Sequence, residues 1–360
     1  MKTYPLQSMT MEQAQQKQFR LVDIICQHFP GSDFLTQGDL GLVPGLNQPQ
    51  ITQRVERVLA DFFSAEAAAL VGGAGTGALR AGLAAMLKPS ETLLVHNAPI
   101  YPTTRVSIEQ MGIQVILADF NQLADIKRVI MARRPQACLI QHTRQKIDDW
   151  YHLADIIELM NENDIPTIID DNYAVMKVPL IGCEAKASLS TFSSFKLLGP
   201  AGVGVIVGKQ QWISKIRASM YSGGSQIQGY QAMEMLRGLV FSPVTHAVQA
   251  RVNDELVVRL NQGEISAVKH AFLANAQSKV LLVEFNQPIA KQVLVKAKEL
   301  GALPYPVGAE SRFEIPPLFY RLSGTFLEAS PEFEQRMIRI NPNRSGTETI
   351  MRILRESCGE

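Results

Sequence analysis

Between residues 67 and 208, seven apolar runs of strand length recur at fairly even spacing, and this rhythm constrains the fold more than any other feature of the chain. The runs are AAALVG (67–72), TLLVH (92–96), QVILA (114–118), ACLIQ (137–141), TIIDD (167–171), SLSTF (188–192) and VGVIVG (203–208). Helical patterns separate most of them. Leu79, Leu83, Met86 and Leu87 fall on one helix face, and Leu153, Ile156, Ile157 and Met160 do so again. Strands alternating with helices predict a mostly parallel sheet covered on both faces. The last two runs are joined by only about ten residues around Gly199-Pro200, too few for a helical crossover, so antiparallel neighbours are expected there.

After Gly238 the texture changes. A helical stretch over about 226–260 is followed by VLLVEF (280–285), a helix around Leu294 to Leu300, a proline-rich loop, IRIN (338–341) and a closing helix. This reads as a smaller α+β domain. Residues 1–50 contain GDLGLVPGLNQP, rich in glycine and proline and poor in periodicity, which suits an arm or active-site loop. The expected division is an arm over 1–50, a large domain over 51–240 and a small domain over 241–360.

A chain of 360 residues with 46% apolar and 19% charged residues can bury a sizeable core. A formal net charge of +1, with both signs spread along the chain, argues against nucleic acid or an anionic membrane as the main partner. No apolar run approaches a membrane span, and the first residues hold no signal-type apolar region. The four cysteines (Cys26, Cys138, Cys183 and Cys358) form no CxxC pair, and the six histidines show no HxxxH spacing. Disulfides and a dedicated metal site are therefore not expected, and a cytoplasmic location is.

Three segments carry chemistry. GGAGTGALR (72–80) is a glycine-rich turn between a strand and a helix, where backbone N–H groups of Gly75, Thr76 and Gly77 could receive a phosphate. It lacks the GK[ST] of a P-loop, and the next strand ends His96-Asn97, without the acid that a dinucleotide site places on ribose. IIDDNYAVMKV (168–178) puts two aspartates at the carboxyl end of a buried strand, where open α/β sheets bind ligands. TFSSFKLLGPAGVGVIVG (191–208) sets Lys196 after a later strand, facing the same crevice. A phosphate cradle, a strand-end acid and a lysine are the parts needed to hold pyridoxal phosphate (PLP): an amine for a Schiff base, an acid for the pyridinium and a helix terminus for the phosphate.

On these motifs the chain resembles the fold-type I PLP-dependent enzymes, the aminotransferase superfamily, over nearly its whole length. FSSFKLLGPAGVGVIVG is similar to the lysine segment of the class V branch. DNYA (171–174), LRGL (236–239) and IRIN resemble segments of the cystathionine synthase/lyase branch, and the whole chain is most similar to the YhfS-type family. The resemblance implies an α/β fold with a seven-stranded sheet and a smaller C-terminal domain. Lys196 becomes the Schiff-base lysine and Asp171 the pyridinium partner, with Asp170 on the other side of the strand, capping. Tyr101 would stack on the ring, Ser193 would give a hydroxyl to the phosphate, and Arg339 would clamp a substrate carboxylate. Ser222 and Ser225 would reach the phosphate of a neighbouring subunit in a homodimer with shared active sites. Gln141, His142 or Arg144 would lie beside the ring hydroxyl. Class V desulfurases carry a cysteine on a late mobile loop, and no cysteine lies between Cys183 and Cys358.

The resemblance thus implies an enzyme acting at the Cα of an amino acid or related amine, as a transferase or as a β/γ-eliminating lyase. The alternative is a non-catalytic PLP-binding regulator of the same fold, against which Arg339 speaks.

Overall fold

The computed structural model describes residues 2–274, 280–306, 310–322, 326–327 and 331–360. Two helices lead the chain, α1 (Met11–His28) and α2 (Gln50–Phe62). Seven strands follow: β1 (Ala67–Gly72), β2 (Thr92–His96), β3 (Gln114–Ala118), β4 (Ala137–Gln141), β5 (Thr167–Asp170), β6 (Leu189–Ser193) and β7 (Val203–Gly208). Helices α3 (Ala74–Met86), α4 (Pro102–Gln110), α5 (Leu123–Arg133) and α6 (Leu153–Glu162) connect the first five strands, and α7 (Gln210–Ser219) follows the seventh.

The strands form one sheet in the order β1-β7-β6-β5-β4-β2-β3. Strands β2 to β6 pair in parallel, whereas β7 is antiparallel to both β6 and β1. Strands β5, β6 and β7 are buried throughout, as expected where helices cover both faces. The parallel order brings the carboxyl ends of β4, β5 and β6 to one edge, with Gln141 opposite Asp170 and Asp170 opposite Thr191.

The single helix α8 (Gly229–Asn261) leads to a second sheet, so the boundary expected near residue 240 falls inside a helix. Its strands are β8 (Val268–Ala274), β9 (Val280–Phe285), β10 (Leu318–Tyr320) and β11 (Met337–Asn341), in the order β10-β11-β9-β8. Helices α9 (Ala290–Glu299) and α10 (Thr347–Cys358) pack on it through Val293, Ala297, Ile350 and Leu354.

The N-terminal fifty residues are not all arm. Helix α1 begins with a capping box, in which Thr10 accepts from the Gln13 N–H while the Gln13 side chain accepts from the Thr10 N–H. It buries Leu21, Ile24 and Ile25 in the core that also contains Phe62, Phe63 and Phe192. The segment after α1 does behave as a loop. Asp39 caps α2 through the N–H groups of Gln50 (2.7 Å) and Ile51 (3.0 Å). Among the described residues no helix is long and apolar enough to cross a membrane.

Candidate active site

Strand β1 ends at Gly72, and Gly73 turns the chain into α3 with φ 91°, a left-handed value suited to glycine. The N–H of Ala74 donates to the Gly202 carbonyl, and that of Gly77 donates to the Gly73 carbonyl (2.8 Å) as the first bond of the helix. The donors of Gly75 and Thr76 therefore remain in the first turn with no intrahelical acceptor. A Cβ at Gly75 would overlap the Asn172 side-chain amide, so glycine is what lets Asn172 pack against this turn. Of the three residues expected to form the cradle, Gly77 has already committed its N–H.

Asn172 links this turn to the end of β5. Its backbone N–H and its amide both donate to Asp170 Oδ1, at 3.1 and 2.7 Å. Asp170 Oδ2 accepts no hydrogen bond among the described residues. Burial raises the Asp170 pKa, and the Asn172 amide and Lys196 oppose that rise. A carboxylate so placed is ready to meet a cation.

Strand β6 delivers Lys196. After Ser193 the chain makes a one-turn helix over Phe195–Leu197, and Leu198 takes a left-handed φ of 64° before Gly199-Pro200. The Ser242 hydroxyl of α8 donates to the Leu197 carbonyl (2.7 Å) and ties this turn down. Lys196 Nζ then lies 3.9 Å from the centre of the Tyr173 ring. Burial lowers the pKa of the Lys196 amine, while Asp170, then Tyr101 and Glu310, favour its charged form.

The orientation of the two aspartates is opposite to the expectation from sequence. Asp171, not Asp170, faces away from Lys196. It is fully buried, with Oδ1 2.6 Å from His142 Nδ1 and Oδ2 accepting from the Gly182 N–H at 3.2 Å. The strand ends at Asp170, whose side chain therefore still obeys the alternation of β5 and points to the Lys196 side. Asp171 opens the following turn and braces β5 against the segment after β4.

Tyr101 precedes Pro102 at the first turn of α4, half-exposed. Burial raises the pKa of its hydroxyl, Tyr173 and Asp170 add to the rise, and Lys196 and Arg339 oppose it. Arg339 enters from β11, buried, with its guanidinium 5.1 Å from the centre of the Tyr320 ring. Burial lowers its pKa, and Tyr173, Tyr320 and Glu310 counter this. Ser193 is buried at the end of β6, and its hydroxyl has no hydrogen-bond partner among the described residues.

The three candidates at and just after the end of β4 separate by their contacts. His142 is held by Asp171, and Arg144 donates to the carbonyls of Tyr4 (2.6 Å) and Tyr151 (2.7 Å). Gln141 lines a small cavity with Asp170, His96, Gln145 and Tyr151. Ser222 and Ser225 are exposed, and the Ser225 hydroxyl donates to the Ser222 carbonyl (2.6 Å). No contact among the described residues brings either serine to Lys196 within one chain.

Sequence reasoning passed over Tyr173, Lys177 and Glu310. Tyr173 stood two residues after the expected acid, a position that could have drawn notice. The Lys177–Glu310 pair joins residues 133 apart and left no local signal.

The aminotransferase class-V family matches residues 50–237, and the YhfS-like C-terminal domain matches residues 254–354. The uncharacterised protein YhfS of Escherichia coli (strain K12) is 66% identical over 357 residues, covering 99% of both chains. The crystal structure of the pyridoxal-5'-phosphate dependent protein YhfS from Escherichia coli superposes with a TM-score of 0.99 at 65% identity, over 100% of this chain and 99% of that one. Cystathionine gamma synthase from Xanthomonas oryzae shares the fold, with a TM-score of 0.70 at 16% identity over 95% of this chain and 97% of the other. The chain belongs to the class V aminotransferase family of fold-type I PLP-dependent proteins, on its YhfS-like branch.

Proposed function

We propose that this protein is a PLP-dependent enzyme acting at the Cα of an amino acid or related amine, as a transferase or as a β/γ-eliminating lyase. The observation that carries the reading is the Lys196 amine, 3.9 Å from the centre of the Tyr173 ring, with Asp170 at the end of the neighbouring strand β5. When bound, PLP supplies an aldehyde that condenses with amines and a ring that accepts electrons from the adjoining carbon.

The residues fit this group. Asp170 Oδ2 is free to pair with a ring N–H, and two donors on Oδ1 fix its direction. The N–H groups of Gly75 and Thr76, unpaired in the first turn of α3, suit a phosphate, and the Ser193 hydroxyl can add a donor. Gln141, in register with Asp170, is the residue of its trio with a side chain to offer a ring hydroxyl. Tyr101 provides a flat face and a hydroxyl that can hold a proton. Lys196 would be the amine that holds the cofactor, and its nitrogen would be the group to move a proton at Cα. Arg339 fixes a carboxylate by two parallel N–H donors. Asp171, the partner first expected, instead braces the strand that presents Asp170.

A homodimer accounts for the outward position of Ser222 and Ser225. Leu42 packs on Gly223, the Gly41 N–H donates to Gln228 (2.7 Å), and Leu35, Leu40, Leu42 and Tyr221 stay exposed nearby. A second copy burying that patch would bring the two serines toward its own phosphate site. Four free cysteines suit a reducing cytoplasm.

Absorbance and borohydride reduction test the reading. The purified protein should show a visible band that borohydride fixes covalently on Lys196, and Lys196→Ala should hold PLP only reversibly. An adduct mapped to Lys177 or Lys209 would overturn the assignment. Single-turnover spectra against amino acids and phosphorylated amines, with product analysis, would then separate transfer from elimination. Light scattering reports the dimer, and a monomer with full PLP occupancy would count against shared sites.

A further inference from the structure

One stripe of α8 touches both the turn that carries Lys196 and the strand that carries Arg339. A Cβ at Gly238 would come within 2.6 Å of the Leu198 carbonyl carbon, and the Ser242 hydroxyl donates to the Leu197 carbonyl (2.7 Å). Gln249 lies two turns beyond Ser242 on the same stripe. Its amide donates to Asn341 Oδ1 (2.7 Å), at the end of β11, and to Glu310 Oε1 (2.9 Å). The Asn341 amide also donates to Glu310 Oε1 (3.1 Å), and Asn341 Oδ1 accepts from the Asn343 N–H (3.0 Å). Glu310 Oε2 pairs with Lys177, in the turn after β5. Lys177, Gln249, Glu310 and Asn341 are each no more than 9% exposed.

Asn341 stands two residues after Arg339 on β11, so the two side chains leave the same face of the second sheet. A buried network of directional bonds fixes one arrangement of the elements it joins, which apolar packing of the same volume would leave freer. We propose that Gln249, Asn341 and Glu310 are positioning residues: they seat β11 on α8 and thereby hold the Arg339 guanidinium at a fixed place relative to the Lys196 amine. In an α-amino acid one carbon joins the amine to the carboxylate, so the two protein groups that meet them must keep a constant separation. A misplacement of about 1 Å is enough to cost a large part of the benefit of such a pair. The cluster therefore serves discrimination, favouring α-amino acids over amines that lack the carboxylate.

This inference rests on Arg339 as the carboxylate clamp of the proposed function. Gln249→Met keeps the side-chain volume and removes both donations, whereas Asn341→Ser keeps a polar group and shortens its reach. They enter the cluster from different elements, so either folded variant suffices. The PLP-bound proteins are titrated with L-alanine against ethylamine and with L-methionine against 3-(methylthio)propylamine, and the half-saturating concentration is read from the visible-band change. Each variant should need about tenfold more of the amino acid, with the amine within about twofold of the parent value and PLP retention unchanged. Gln249→Met added to Arg339→Lys should cost no more than Arg339→Lys alone, because the cluster acts through the guanidinium. Equal losses for amino acid and amine, losses that add to that of Arg339→Lys, or unchanged amino-acid binding in both variants would overturn the positioning role and leave Arg339 as the clamp. A parent protein with no preference for either amino acid over its amine would overturn the clamp, and the inference with it.

Discussion

The ammonium of Lys196 rests 3.9 Å from the centre of the Tyr173 ring, so the amine is held by an aromatic face. A cation over such a face gains about 1 kcal/mol when partly desolvated. Tyr173→Phe keeps the face and should leave the rate of covalent PLP capture within about twofold. Tyr173→Leu removes it, leaves more of the amine neutral and nucleophilic, and should speed capture by up to roughly fivefold, the equivalent of that energy. Stopped-flow absorbance on apo-protein measures both. Equal changes in the two variants would assign the effect to the hydroxyl.

The paired aspartates give a second expectation with two different readouts. Asp170→Asn should lower turnover far more than PLP affinity, because an amide cannot hold a ring nitrogen protonated as a carboxylate does. Asp171→Asn should act mainly on stability. It weakens the buried contacts to His142 and Gly182, at a cost of about 1–3 kcal/mol. Denaturant unfolding and steady-state kinetics on the two proteins would separate the roles. The reverse pattern would restore Asp171 to the ring.

These aspartates also mark where the sequence stopped being legible. The seven apolar runs announced the large sheet because strands buried on both faces must be apolar along their whole length. The short link around Gly199-Pro200 announced the antiparallel β7 because geometry forbids anything else. Which of two adjacent acids faces the site depends on the residue at which β5 gives way to a turn, and both readings share one local sequence. Helix α1 was passed over because its apolar face, Leu21, Ile24 and Ile25, is narrow and lies next to a glycine-rich loop. Arg144 looked like a ligand residue by position, yet its guanidinium holds the backbone carbonyls of Tyr151 and of Tyr4, the latter far away in the chain.

His246 supplies a pH expectation. Burial lowers its pKa to about 3, against an ordinary value near 6.5 in the unfolded chain. The unfolded state therefore binds the proton first as pH falls. Stability from the neutral ring is present above about pH 6.5 and is lost progressively as pH drops toward 3. His246→Gln should flatten the stability profile over that window, whatever it does to absolute stability at neutral pH. Urea midpoints between pH 7 and pH 4, compared as slopes, provide the check. A slope equal to that of the parent protein would show that His246 is not the group responsible.

As the proposed carboxylate clamp, Arg339 would decide what kind of substrate the site can hold. It lies in the middle of β11, paired antiparallel with Leu282 of β9 and Tyr320 of β10, so its backbone is fixed by strands on both sides. A buried guanidinium whose charge is disfavoured by burial gains most from an anion brought by a ligand. Its planar fork can grip both oxygens of a carboxylate, whereas a lysine ammonium offers a point charge without that geometry. Arg339→Lys should therefore lower kcat/KM on α-carboxylate substrates by about 2–3 kcal/mol in transition-state terms, the scale of a lost charge-assisted pair. PLP affinity, read from the visible band on titration, should hardly change, because the proposed ring and phosphate contacts would come from the first sheet. Unaltered kcat/KM in the variant, or a preferred amine substrate without a carboxylate, would show that Arg339 serves the packing of β11 against Tyr320 and that the site holds a different ligand.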